Sequence, residues 1–163
     1  MCSRDRRSDV HRPVRVIKTY SIRRRDSTFR VQYTVSNPSD APIEVRFGVE
    51  TVIGFDGGQD LHYCALRTGH NPERLSLNEV AALDQVSHYA SDSNIRNLTL
   101  TTDLSIPATL WRFPLETIAL SEAGFERGYQ GTVFLQLWAL HLHPGGSWSV
   151  TIAQRVTQDA SRP

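Results

Sequence analysis

Two cysteines in 163 residues, Cys2 and Cys64, are too few for a disulfide framework and show no metal-ligand spacing. They fit a pair of reduced thiols in a cytoplasmic protein. No run of roughly eighteen apolar residues occurs, so no membrane-spanning helix is expected. The opening lacks the apolar core of a signal peptide, and the chain is expected to stay in the cytoplasm. An excess of one charge is also missing. The formal net charge of +1 gives no general attraction to nucleic acid or anionic membrane. Arginines do cluster, at Arg4, Arg6 and Arg7 and again at Arg23, Arg24 and Arg25, but without the interleaved aromatics of a single-strand binder. Heptads, internal repeats and βαβ alternation are absent as well.

What is present is alternation. Val14, Val16, Tyr20 and Ile22 share one side of a strand, with Lys18 as the exception, and Phe29, Val31, Tyr33 and Val35 alternate with Arg30, Gln32 and Thr34. Period two with β-branched and aromatic residues predicts strands with one buried face, here joined as a hairpin through residues 25–28. Asn37, Pro38, Ser39 and Asp40 form a turn. Ile43, Val45, Phe47, Val49, Ile53 and Phe55 then share one parity, and Glu44, Arg46 and Glu50 the other. Residues 56–58 (DGG) end that run, and a short strand follows at 61–66. Over 67–85, Asn71-Pro72 starts a turn, and residues 77–83 fit either two helical turns or an irregular loop.

A weak strand at 86–90 precedes a stronger one in which Leu98, Leu100 and Leu104 alternate with Thr99, Thr101 and Asp103. Residues 110–120 form the next strand, with Trp111, Phe113 and Leu115 on one face and Arg112 and Glu116 on the other. Pro114 lacks a ladder donor, which predicts an edge or a bulge there. Residues 133–142 are apolar on both parities, as in a central strand covered on both sides. After Pro144-Gly145-Gly146, a last strand carries Trp148, Val150, Ile152 and Val156. The whole predicts an all-β antiparallel sandwich with little helix, divided into a mobile basic tail (1–12), a sandwich domain (13–158) and a C-terminal tail (159–163).

Between two apolar strands, residues 116–130 hold Glu116, Ser121, Glu122, Glu126, Arg127, Tyr129 and Gln130. A turn needs glycine and polar residues, but not three carboxylates, an arginine and a tyrosine. Surfaces that grip sugars use such groups. With Arg112 added, these residues other than Ser121 are the candidate carbohydrate- or partner-binding set. Tyr129 and Gln130, beside small Gly128 and Gly131, are the best placed for a ligand-facing edge. The plainer alternative is a loop whose acids cap turns or pair with Arg112 and Arg127.

The stretch WRFPLETIALSEAGFERGYQGTVFLQLWALHLHPGGSW resembles the C-terminal β-sandwich domain of glycoside hydrolase family 57 enzymes, the α-amylase and 4-α-glucanotransferase group. YTVSNPSDAPIEVRFGVETVIGF is similar to the central strands of the same domain, and the resemblance runs over residues 14–156. It implies a galactose-mutarotase-like fold of two large antiparallel sheets, without cofactor. In that family an upstream barrel carries the catalytic carboxylates, and the sandwich assists glucan handling or transglycosylation. The implied partners are therefore an α-glucan and the catalytic barrel.

This chain holds no barrel, so a truncated gene, a split gene and an excised domain are the open readings. The first strand or strands of the sandwich are then expected to be missing. Val52 stands where the related pattern carries a polar residue, often asparagine, which weakens a sugar-contacting role around Glu50.

Catalysis by the isolated chain has little support. Glycoside hydrolysis needs two carboxylates facing across a cleft, and Glu116, Glu122 and Glu126 show no such spacing; Gly124 argues against the helix that would align the last two. A free-standing aldose epimerase would need a histidine acid and a glutamate base, with His62, His70, His88, His141 and His143 available. His141 and His143 share one strand face at a ligand spacing, but no third ligand is legible, so no metal is expected. Trp111, Trp138 and Trp148 each alternate with apolar neighbours and are expected in the core.

Overall fold

Alternating β-branched and aromatic residues, interrupted by proline, asparagine and glycine, have one economical outcome: strands that bury one side. The computed structural model describes residues 12–22, 27–54, 62–68, 71–76, 79–93, 97–121 and 124–158. Within them the chain forms β1 (Arg15–Ile22), β2 (Thr28–Ser36), β3 (Ile43–Ile53), β4 (His62–Thr68), β5 (Asn71–Ser76), β6 (Ala81–Ser93), β7 (Leu98–Ser121), β8 (Gly124–Leu142) and β9 (Ser147–Gln158). Every pairing is antiparallel. No described residue is helical, so none belongs to a helix long and apolar enough to cross a membrane.

The ladder runs β1-β2-β9-β7-β6-β4-β5, with β3 and β8 joined to it through β7. β7 is the hinge of this arrangement. Along one edge it pairs with β9 from Leu98 to Leu104, then with β8 from Thr109 onward. Between those stretches, Ser105 Oγ accepts the Thr151 amide at 2.8 Å and the Ile106 carbonyl accepts Trp138 Nε1 at 3.2 Å. One strand is thereby shared by two layers, β1-β2-β9 and β3-β8.

The layers face one another across the main core. Val31, Val35, Ile43, Val49, Trp138, Leu140, Val150 and Ile152 are buried together. Aromatic rings bridge the gap: Tyr33 to Phe47 at 5.6 Å, Phe47 to Trp148 at 5.9 Å and Trp138 to Trp148 at 5.5 Å between centroids. A second, smaller cluster of Ile53, Val86, Leu110, Phe134 and Tyr89 fills the space inside β6-β7-β8. There Tyr89 and Phe134 stack at 5.0 Å, and Gln136 Nε2 donates to Tyr89 Oη at 2.6 Å.

Several expectations need correction. Of residues 77–83, the described part makes no helical turn: 79–80 are irregular and β6 starts at Ala81, while Asn71-Pro72 lies in a strand instead of a turn. β1 buries no residue: it is an edge strand that pairs only with β2 among the described residues. Lys18 is at home on it, since hydrogen bonds to Tyr20 and then Tyr33 hold its ammonium above its ordinary pKa. β8 is central, between β3 and β7, yet beyond Phe134 it is fully buried on one parity only. Pro114 behaves as expected: β6 stops pairing at Arg112, which leaves an edge, and the register shifts between Leu115 and Glu116. The tails at 1–11 and 159–163, the turn at 56–58, Glu122 and both arginine clusters lie outside the described residues.

Asn37 ties the two layers at one end. It is fully buried, and its Nδ2 lies 2.8 Å from the Ala41 carbonyl, 3.1 Å from that of Leu142 and 3.2 Å from that of His143. Its Oδ1 accepts from the Ser39 amide at 3.0 Å, and its backbone exchanges bonds with Gly145 and Gly146. Removing that amide takes a donor from the buried Leu142 carbonyl and from the half-buried Ala41 and His143 carbonyls. Each lost hydrogen bond costs about 0.5–1.5 kcal/mol, more where a buried group is left unsatisfied. Asn37→Ala is therefore expected to lower unfolding free energy by about 2–4 kcal/mol in urea titration; a loss below about 0.5 kcal/mol would contradict the role given to Asn37.

Candidate functional site

Strand alternation gives the β3-β8-β7 layer an inward and an outward side. The outward side carries Glu44, Arg46, Gly48 and Glu50 from β3, Leu135, Leu137, Ala139 and His141 from β8, and Thr109 and Trp111 from β7. Register sets their rows. Glu44 lies opposite His141, Arg46 opposite Ala139, Gly48 opposite Leu137, and Leu135 between Glu50 and Trp111.

Small residues stand at two of these places; leucines fill the space over Gly48, and the surface is hollow around Ala139. A Cβ on Gly48 would sit 3.1 Å from Leu137 Cδ2 and 3.5 Å from Leu135 Cδ1, so the leucines lean over the glycine. Ala139 is short beside Arg46. Two adjoining depressions result. One of about 350 Å³ is lined by Glu44, Val45, Arg46, Ala139, Leu140 and His141; the other, of about 150 Å³, by Arg46, Thr109, Trp111, Leu137 and Ala139. Arg46 and Ala139 belong to both. Trp111 is 43% exposed and supplies an aromatic wall. Thr109 Oγ1 is turned to Asp84 Oδ1 at 2.8 Å. An aromatic surface beside a guanidinium, a carboxylate and an imidazole is the donor, acceptor and stacking set that sugars use.

Trp111 thus departs from the core position expected of it, while Trp138 and the half-buried Trp148 join the core. The reason is continuity. β7 is one strand from Leu98 to Ser121, and its even positions Leu104, Ala108 and Leu110 already face inward. Arg112 follows them inside and Trp111 turns out.

The residues singled out from sequence do not gather in one place. Arg112 is wholly buried, and its Nε, Nη1 and Nη2 have no hydrogen-bond partner among the described residues. Glu116, Glu126, Arg127, Tyr129 and Gln130 lie along the β7–β8 ribbon, and Glu122 falls outside the described residues. Arg127 Nη1 sits 3.5 Å from Glu116 Oε2. Tyr129 Oη and Thr132 Oγ1 are 2.6 Å apart, and Gln130 Nε2 donates to Thr117 Oγ1 at 3.2 Å. The space over Gly128 and Gly131 is taken by the chain itself. Cβ atoms there would meet Thr117 Oγ1 at 3.1 Å and the Ile53 carbonyl at 3.0 Å. None of these residues lines either depression.

Among the described residues, no three His, Cys, Asp or Glu side chains are placed to hold a metal. His141 and His143 stand edge to face, 5.0 Å between ring centroids.

Two antiparallel layers sharing a long strand place the chain among galactose-mutarotase-like sandwiches. It superposes on the galactose mutarotase related enzyme of Lactobacillus acidophilus with a TM-score of 0.62, covering 91% of this chain and 63% of that one at 7% identity. The 4-alpha-glucanotransferase of Thermococcus litoralis matches with a TM-score of 0.62 over 88% of this chain and 18% of that one, at 19% identity. Residues 3–152 match the family described as alpha-amylase/4-alpha-glucanotransferase, C-terminal, and the chain belongs to that family. Alpha-amylase 1 of Dictyoglomus thermophilum is 32% identical over 145 residues, 89% of this chain and 20% of that protein. The chain therefore spans about a fifth of the length of these amylase and glucanotransferase relatives.

A buried cation without partners is a cost that an apolar side chain of similar length avoids. Arg112→Met is expected to leave the fold intact and to raise unfolding free energy by about 1–4 kcal/mol in denaturant titration. A clear loss of stability would contradict the interior, unpartnered placement of this guanidinium.

Proposed function

We propose that this chain is a non-catalytic C-terminal β-sandwich module of a family 57 α-glucan-active glycoside hydrolase or 4-α-glucanotransferase. In this reading it packs on a catalytic barrel and holds a stretch of α-glucan near it. The family and the coverage of a fifth of the relatives support the module role. The observation that carries the glucan role is the pair of adjoining depressions, one walled by exposed Trp111 and the other lined by Glu44 and His141, with Arg46 common to both.

A glucose ring lies against the Trp111 indole within reach of Arg46, and Glu44 and His141 take up hydroxyls of a sugar further along the strands. The ribbon groups Glu116, Glu126, Arg127, Tyr129 and Gln130 serve the partner side, and Glu122 is grouped with them by sequence position. The module itself is read as residues 13–158, in a reducing compartment such as the cytoplasm that suits the chain's two cysteines.

A second reading rests on the mutarotase-like neighbour together with His141 lying directly opposite Glu44 on an open face. An aldose epimerase needs one acid and one base on a sugar. Polarimetry on fresh α-glucose and α-galactose tests it: a rate above the spontaneous one, lost in His141→Ala, would support it, and the spontaneous rate alone would remove it.

Calorimetric titration with maltoheptaose tests the first reading. Binding is expected, with Trp111→Ala weakening it about tenfold or more, a loss of about 1.4 kcal/mol upward. Unchanged affinity in Trp111→Ala with a loss in Arg127→Ala would move the sugar to the ribbon. No heat at millimolar sugar would end the glucan-holding role.

A further inference from the structure

Past Arg112 on β7 and Thr132 on β8, neither β6 nor β3 keeps pairing among the described residues, and there the two strands continue as a two-stranded ribbon. Residues directly opposite in an antiparallel ladder share a face. The pairs Glu116 with Tyr129, Ile118 with Arg127 and Leu120 with Phe125 therefore make one face of it. The other face is built from Thr117 with Gly128 and Ala119 with Glu126, small or polar groups.

The first face is apolar toward its tip. Ile118 is 69% exposed, Leu120 78% and Phe125 82%. Two-stranded ribbons are marginal in water by themselves, and clustered exposed apolar residues mark contact surfaces. At the ribbon's base Glu116 and Arg127 neutralise one another, so the face presents grease without net charge.

We infer that this face is where the module docks on the remainder of the α-amylase/glucanotransferase polypeptide, an inference that rests on the module reading above. Size argues for that occupant. About six residues per strand at ~3.4 Å each, on a ribbon roughly 10 Å wide, offer on the order of 200–300 Å². A stable contact between separate molecules needs about 800 Å² from each, so a second copy held by this face alone falls short. A domain tethered in the same polypeptide meets an effective concentration in the millimolar range, and a small apolar contact then suffices. The relatives supply such a tethered body, since four-fifths of their length lies outside the matched portion.

The test places a photoreactive benzoylphenylalanine at Phe125 and, separately, at Ile22 on the edge strand β1, in the whole protein as its host expresses it. Illumination at Phe125 is expected to capture peptides of an α-amylase-type catalytic portion, in the same polypeptide or a companion one, several-fold more than at Ile22. Capture of a second copy of this chain at Phe125 would overturn the inference. Capture of the catalytic portion at Ile22 but not at Phe125 would also overturn it, while leaving the module reading standing. If neither position captures such a portion, both the inference and the module reading fall.

Discussion

The backbone ladder of β7 changes partner halfway along one edge, and both layers depend on that change. Leu98 to Leu104 belong with β9, and Thr109 onward with β8. Buried amides and carbonyls must be hydrogen-bonded, so a strand that leaves one partner must find another or be bonded by side chains. Ser105 and Trp138 do the latter at the crossing, one reaching each layer. Both β-layers are thereby fixed in position by a single strand.

What the surface offers follows from this crossing. Because the parity of β7 is unbroken from Leu104 to Arg112, the guanidinium is carried inside and the Trp111 indole outside. The same register sets Trp111 beside Leu135 and, one strand further, Glu50. Beyond the reach of β6 and β3, the surplus length of β7 and β8 pairs with no third strand among the described residues and forms a ribbon. The depression and the ribbon are thus two consequences of one long hairpin, one where neighbours flank it and one where they stop.

Much of this was legible from residues. The alternation in β2, β3 and β9, the turn at Asn37, the edge character at Pro114 and the all-β sandwich are local patterns, and the fold keeps them. The errors came from treating β7 as two strands. Read separately, WRFPL puts its aromatics inward, because three large apolar residues outweigh one arginine and one proline. Read as a continuation of Leu104, Ala108 and Leu110, period two sends Trp111 outward. That signal was present in the sequence.

The depression itself was not legible, since it needs the β3–β8 register to bring Arg46 beside Ala139, and register between strands about ninety residues apart leaves no local trace. β6 was obscured by its irregularities, with Gln85 at φ 58 and register shifts on either side of Val86. The polar set on the ribbon was visible as residues, and pairing of its acids with Arg127 was one reading it allowed; that Glu116 is the acid involved needed the cross-strand register.

The central claim is that a family-typical sandwich presents an outward tryptophan as a sugar platform on its β3-β8-β7 layer. A crystal structure of the protein with maltoheptaose tests it most directly. The account predicts a glucose ring stacked on Trp111 with hydroxyls at Arg46; sugar bound only elsewhere, or no sugar at saturating concentration, would contradict it.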